Sequence, residues 1–187
     1  MAVMISTPLD KPPGEPFTAA DLELMPDDGR RYEIIDGVLI VSPSPTFSHQ
    51  DIVLELAVRL RAVCPEHLKV FVAPLDVHLT ETTVIEPDVL VVCRSDLNQG
   101  KWIHAAPTLA VEVLSPKTRD IDLIAKAKQL AEAGCPSYWT IDPEGPHLIA
   151  RALRDGEYAV TADLTSDEVF ETEVPYPVSF RVSDLLD

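Results

Sequence analysis

Two apolar runs limit what this chain can fold into. Pro87-Asp88-Val89-Leu90-Val91-Val92-Cys93 and Thr108-Leu109-Ala110-Val111-Glu112-Val113-Leu114 are almost wholly apolar and read as strands buried on both faces. Such strands lie inside a sheet that is covered on either side. Each run nevertheless holds one acid. Side chains alternate across a strand, so Glu112 shares its face with Ala110 and Leu114. An ionised carboxylate there is costly to bury unless a cation, a metal or a hydrogen-bond network holds it. Two lone acids on two buried strands suggest one shared metal.

The flanking segments supply what covers such a sheet. Thr18 and Asp21 resemble a capping box that opens a short helix. Arg31–Ile35 and Val38–Val41 flank Asp36-Gly37, a strong hairpin signal. Ser48, with Asp51 three residues on, can cap a helix whose apolar stripe is Ile52, Val53, Leu56, Leu60 and Val63. Lys69–Leu79 reads as one strand, bent near Pro74, ahead of the two acid-bearing strands. A second helix runs from about Asp120 to Ala133 and is stopped by Gly134 and Pro136. Ser137–Asp142 is a further strand, and His147–Leu153 with Glu157–Val160 forms a hairpin around Asp155-Gly156. The order predicts an α/β fold, a mixed sheet with helices on its faces, in a single domain over residues 17–187. Residues 1–16, with four prolines and no hydrophobic periodicity, read as a flexible tail.

With 187 residues and 46% hydrophobic content, the chain is long enough for one domain with a sizeable core. No apolar run approaches the roughly 20 residues a membrane helix needs. The N-terminus lacks a basic region ahead of an apolar stretch, so no signal peptide is expected. Cys64, Cys93 and Cys135 are odd in number and form no CxxC pair, which fits a reducing cytoplasm. The net charge of −16 weighs against non-specific nucleic-acid binding, which relies on Lys and Arg to neutralise phosphates. The chain has no nucleophile elbow, P-loop or dinucleotide fingerprint, and its histidines show no zinc spacing.

On the second helix, Leu123, Ala127, Leu130 and Gly134 fall on one stripe, with Lys126 roughly 60° from its centre at 3.6 residues per turn. Lys126 therefore borders the buried face and can reach over the sheet towards Glu112, whereas Lys128 points away. Asp122 and Lys126, four apart with the acid first, also make an ordinary helix salt bridge, and Asp122 reads as structural. Asp88, after a proline at a strand start, is open to a cap or turn role, and Glu112 to plain pairing with Lys or Arg. Two carboxylates and a lysine also match a known solution for phosphodiester hydrolysis. Hard oxygen donors suit Mg²⁺ or Mn²⁺, which make a bound water a better nucleophile, while an ammonium nearby stabilises the transition state.

Taken in order, Tyr32-Glu33-Ile34-Ile35-Asp36-Gly37, Ser42-Pro43-Ser44-Pro45 with His49, Pro87-Asp88, Glu112-Val113-Leu114-Ser115, Asp122 with Lys126, Tyr138-Trp139 and Asp142-Pro143 resemble the Uma-type restriction endonuclease family of the PD-(D/E)XK nuclease superfamily. The resemblance implies a restriction-endonuclease-like αβββαβ core with an N-terminal β-hairpin. It also implies a divalent-metal-dependent endonuclease that hydrolyses DNA phosphodiester bonds through a metal-activated water. Asp88 and Glu112 would then bind Mg²⁺ or Mn²⁺, with the Val113 carbonyl as a third ligand. The superfamily's usual lysine lies two residues after the glutamate, where this chain has Leu114, and Lys126 stands in for it from the following helix. Glu33 and His49 match further polar positions of the site, although each also reads plainly, as a hairpin charge and as a helix-start residue. The chain departs from the pattern at Leu130, where an aromatic is common, and at Cys135 and Ser137 beside the Tyr-Trp pair.

DNA phosphates are expected to meet Arg30, Arg31, Lys101, Lys117 and Arg119. A homodimer is expected, because cutting both strands takes two active sites. Two other readings stay open: a non-catalytic binding or regulatory module that keeps the nuclease fold, which the acidic charge favours, and a metal hydrolase of small phosphoesters.

Overall fold

Asp36 and Gly37 take positive φ values of 49° and 76°, as a two-residue hairpin turn of the favoured twist requires. They follow the short helix α1 (Ala19–Leu22) and join β1 (Arg31–Ile35) to β2 (Val38–Ser42), with Ile35 opposite Val38. The computed structural model describes residues 11–12, 14–97, 100–116 and 118–186, so most of the expected tail, and Lys117, lie outside the described residues. A β-carbon on Gly37 would stand 2.6 Å from the Pro16 β-carbon. Left-handed backbone with a side chain costs roughly 1–2 kcal/mol before that clash is counted. Gly37→Ala should therefore lower the urea midpoint at unchanged slope. Gly145→Ala, where nothing lies within 4 Å of the new carbon, should stay near neutral.

On its other side β1 pairs with β5 (Thr83–Ile85), and β5 with β4 (Val77–Thr80), giving a four-stranded antiparallel sheet in the order β2-β1-β5-β4. The single bent strand expected over 69–79 is therefore two. β3 (Leu68–Val72) ends just before Pro74 and belongs to a different sheet. A proline has no N–H to extend a ladder. β5, with three residues, is too short to show alternation in the sequence.

The second sheet has six strands. With β6 (Val89–Cys93), β7 (Leu109–Val113), β8 (Ser137–Asp142), β9 (His147–Arg154) and β10 (Glu157–Thr165), its order is β10-β9-β8-β7-β6-β3. Neighbours are antiparallel except β7 and β8, which run parallel. A parallel pair needs a crossover, and here it is helical. Ile121–Lys126 forms a π-helical turn that runs into α3 (Ala127–Glu132). The fold is thus mixed α/β with mostly antiparallel sheets.

Each face of the six-stranded sheet has its own core. Val89, Val91, Leu109, Val111 and Val113 point to one side, where Ile52, Val53, Leu56 and Leu60 of α2 (Phe47–Ala62) cover them. Trp139, on the same side, stacks edge-on against Phe170 at 4.8 Å between ring centres. Phe170 belongs to β11 (Val169–Thr172), which pairs with β12 (Val178–Arg181) as a lid over this core. Leu90, Val92, Ala110 and Tyr138 point to the other side, towards α3 and the four-stranded sheet. Thr46, extended at ψ 168° behind Pro45, caps α2 by accepting from the His49 N–H; Ser48, the cap expected from the sequence, lies inside the first turn. The stripe ends at Leu60, since Val63 is half exposed.

The π-helical turn changes what the second helix buries. One extra residue in a turn rotates the preceding residues relative to those that follow. The buried side chains are Asp122, Lys126, Gln129 and Leu130, while Leu123 and Ala127 of the expected stripe are only partly covered. No helix among the described residues is long and apolar enough to cross a membrane.

Candidate active site

Strand register decides where the two lone acids sit. Val89 faces Val111, Leu90 faces Ala110 and Val91 faces Leu109. One further step along that register brings Asp88 opposite Glu112. Alternation then puts both on the face of Leu90 and Ala110, beneath the crossover helix. Asp88 is 2% exposed and Glu112 is fully buried. The Asp88 carboxylate reaches across to β7 and accepts from the Val113 N–H at 2.8 Å.

Lys126 comes down from the helix onto this face, and its ammonium is fully occupied. Its Nζ lies 2.8 Å from Glu33 Oε1, 3.0 Å from Glu112 Oε1 and 3.4 Å from Asp122 Oδ1. Three carboxylates therefore converge on one ammonium, which donates a hydrogen bond to Glu112 and is ion-paired with Glu33 and Asp122. Glu33 is placed by β1, and its Oε1 also accepts from the Glu86 N–H at 2.8 Å. Asp122 is fixed at Oδ2 by the Thr118 hydroxyl, and its main-chain carbonyl accepts from the Tyr138 hydroxyl at 2.7 Å. Gln129, the next buried residue of the helix, donates to the Asp36 carboxylate at the hairpin turn and accepts from Thr83. The hairpin, the helix and the central sheet are thereby locked around one polar centre.

Asp88 has partners on both oxygens. Arg31 Nη1 donates to Oδ1 at 2.7 Å, and His49 Nε2 lies 3.2 Å from Oδ2. Arg31 also lies 3.6 Å from Glu33 through Nε. The carboxyls of the two candidate ligands are shifted in opposite directions. Burial alone would raise the Asp88 carboxyl, but the His49 hydrogen bond and the Arg31 and Lys126 charges outweigh it and hold the group well below the usual carboxylate range. At Glu112 burial prevails over Lys126 and pushes the carboxyl well above its ordinary value. Burial also raises Asp122, and it lifts Glu86, with help from Asp76, to about 8. For Lys126 and Arg31 burial works against the charge, but the acids around them overcome it and both stay cationic.

A divalent ion fits this arrangement on two observations. Glu112 Oε2 is buried and has no hydrogen-bond partner among the described residues. The carboxyls of Glu33, Asp88, Glu112 and Asp122 face two permanent cations, Arg31 and Lys126, so full ionisation leaves an excess of two negative charges. Among the described residues no three His, Cys, Asp or Glu side chains form a ready-made cage. The donors on hand are two carboxyls and main-chain oxygen, and Mg²⁺ commonly makes up such a set with water.

The polar centre opens on a cleft of about 860 Å³ lined by Arg31, Ser42, His49, Glu86, Asp88 and Val113, among others. The buried Nδ1 of His49 and Oγ of Ser42, both cleft residues, have no hydrogen-bond partner. The basic residues expected to meet phosphates are distributed unevenly. Arg31 is drawn into the centre. Arg30 is paired with Asp28, Arg119 with Asp142, and the Lys101 ammonium rests over the Trp102 ring. Lys117 is outside the described residues. Asp122, expected from the sequence as a structural salt-bridge partner of Lys126, is paired with it, but in the buried centre, where it is one of three acids around that ammonium. Its signal was present in the spacing to Lys126, but the rotation that buries it was not.

Among solved structures, the fold is similar to that of a crystal structure titled as a putative nuclease belonging to DUF820 from Anabaena variabilis ATCC 29413, with a TM-score of 0.74 at 21% identity, over 91% of this chain and 98% of that one. No curated protein matches. A family model described as "Putative restriction endonuclease" matches residues 19–183, and the chain therefore belongs to that family, Uma2.

Proposed function

We propose that the protein is a divalent-metal-dependent endonuclease that hydrolyses DNA phosphodiester bonds. The observation that carries this reading is the juxtaposition of Asp88 and Glu112 on one face of adjacent strands, with Lys126 buried against Glu112 and Asp88 lining an open cleft. The chain order α2, β3, β6, β7, α3, β8 supports assignment to the restriction-endonuclease-like αβββαβ core. Asp88 and Glu112 would hold the Mg²⁺ or Mn²⁺, with the carbonyl of Val113, the residue after Glu112, as a third ligand. When bound, such an ion supplies a more acidic water and offsets charge growing on the phosphate. Lys126, fixed by Glu33 and Asp122, keeps a positive charge beside Glu112 behind the cleft wall, where it favours negative charge at the site. His49 lines the cleft and steadies Asp88 through Nε2. Cutting both strands takes two copies, and we assign a homodimer on that ground. Three free thiols support a reducing compartment such as the cytoplasm.

Titration calorimetry with Mn²⁺ tests this directly. The wild type is expected to bind the ion, and Asp88→Asn to lose the heat. A wild type that binds no Mn²⁺ at millimolar concentration would count decisively against the nuclease. A second reading, a non-catalytic module that keeps the fold, has its own support in the net charge of −16 and in the cations that already occupy the acids. It is distinguished by unchanged behaviour when both acids are replaced.

A further inference from the structure

The two permanent cations of the centre are not held alike. Lys126 is 1% exposed and bonded to three acids, so it has nowhere to go. The Arg31 side chain is 21% exposed and lines the cleft, with a single short hydrogen bond, to Asp88 Oδ1. Its remaining contacts are weak: the Glu86 carbonyl at 3.3 Å and Glu33 at 3.6 Å.

The two oxygens of Asp88 also differ. Oδ2 is committed to the Val113 N–H and His49, and giving it up would orphan a buried main-chain donor. Oδ1 has only Arg31 as a donor among the described residues. Any cation that takes an oxygen from Asp88 without breaking the sheet contact therefore meets Arg31 at Oδ1, where two like charges on one oxygen repel and favour release of the guanidinium. A guanidinium released there is still charged, and the open direction is the cleft. Arg30, the other arginine lining it, is already paired with Asp28. Planar, forked donors match a phosphate.

We propose that Arg31 is an exchangeable partner of Asp88: it holds Oδ1 while no divalent ion is bound, and turns into the cleft to grip a DNA phosphate once the ion takes that oxygen. This rests on the nuclease reading above and adds a coupling to it. Ion and DNA then bind with positive cooperativity through one side chain, and by linkage each strengthens the other equally.

The test has two arms. In wild-type protein, the ¹⁵Nε–H resonance of Arg31 should move to a solvent-exchanging, mobile signal on addition of Mg²⁺ without DNA. In the second arm, duplex DNA affinity is measured with and without Ca²⁺. The wild type should gain about tenfold or more from Ca²⁺. Arg31→Met should lose most of that gain while binding Ca²⁺ alone more tightly, because its competitor is gone. An Arg31 resonance unmoved by bound Mg²⁺, or a variant with wild-type coupling, overturns the exchange and leaves the nuclease reading standing. A wild type that binds neither ion overturns both. The resonance arm decides the matter even if Arg31→Met fails to fold.

Discussion

Glu112→Gln is expected to abolish plasmid cleavage while leaving the thermal midpoint unchanged or higher. The substitution keeps shape and volume and removes only the capacity to carry a negative charge. Loss of one metal-binding carboxylate should cost about three orders of magnitude in rate, or about 4 kcal/mol of transition-state stabilisation. Stability responds in the opposite sense. The Glu112 side chain is fully buried, its Oε2 has no partner, and burial already disfavours the ionised form. A glutamine oxygen can still accept from Lys126, which retains Glu33 and Asp122. A residue whose replacement costs activity and spares the fold is one the fold does not need. Cleavage of supercoiled plasmid in Mg²⁺, read beside a thermal melt, separates the cases. A fall of more than about 5 °C together with the activity would make Glu112 a structural counter-ion instead.

The sequence carried those parts of the fold whose cause is local. Asp36-Gly37 announces its hairpin because few residue pairs accept two positive φ values in succession. The acid-bearing runs announce β6 and β7 because strands covered on both faces must be apolar throughout. What was hidden depends on partners distant in sequence. Thr83–Ile85 is held by β1, whose Ile34 pairs with Val84, and it in turn gives Val77–Thr80 a strand to pair with; three residues of β5 alone do not announce this. The hairpin is accordingly half of a second sheet, which packs on the central one and carries Glu33 and Arg31 to the acids.

The centre divides along the same line. Alternation and an apolar background were enough to single out Glu112, and its place opposite Asp88 follows from register. Helical spacing brought Lys126 only to the border of the buried face. The π-helical turn carries it inward and brings Asp122 along. Because i,i+4 spacing survives whether that pair faces solvent or core, periodicity could not choose between a surface salt bridge and a buried clamp. Arg31 was legible as a cation and illegible as a partner of Asp88, since the two are 57 residues apart and meet only through the second sheet.

The clamp itself sets the largest effect on stability. Lys126→Met should destabilise the protein by about 3–5 kcal/mol, the range for removing one member of a buried ion pair. The methylene stem is matched in length, so packing changes little. What remains is three carboxyls drawn together with no ammonium between them. Urea unfolding of the variant measures the loss. A double-mutant cycle then identifies its origin. In a Glu112→Gln background one of the stranded carboxyls is already neutral, so the same Lys126→Met change should cost less, by about 1–3 kcal/mol. Additive losses would mean that Lys126 stabilises the fold through its stem rather than through the acids it gathers. Coupled losses would identify the lysine as the element that keeps two or more carboxyls close enough to share one divalent ion.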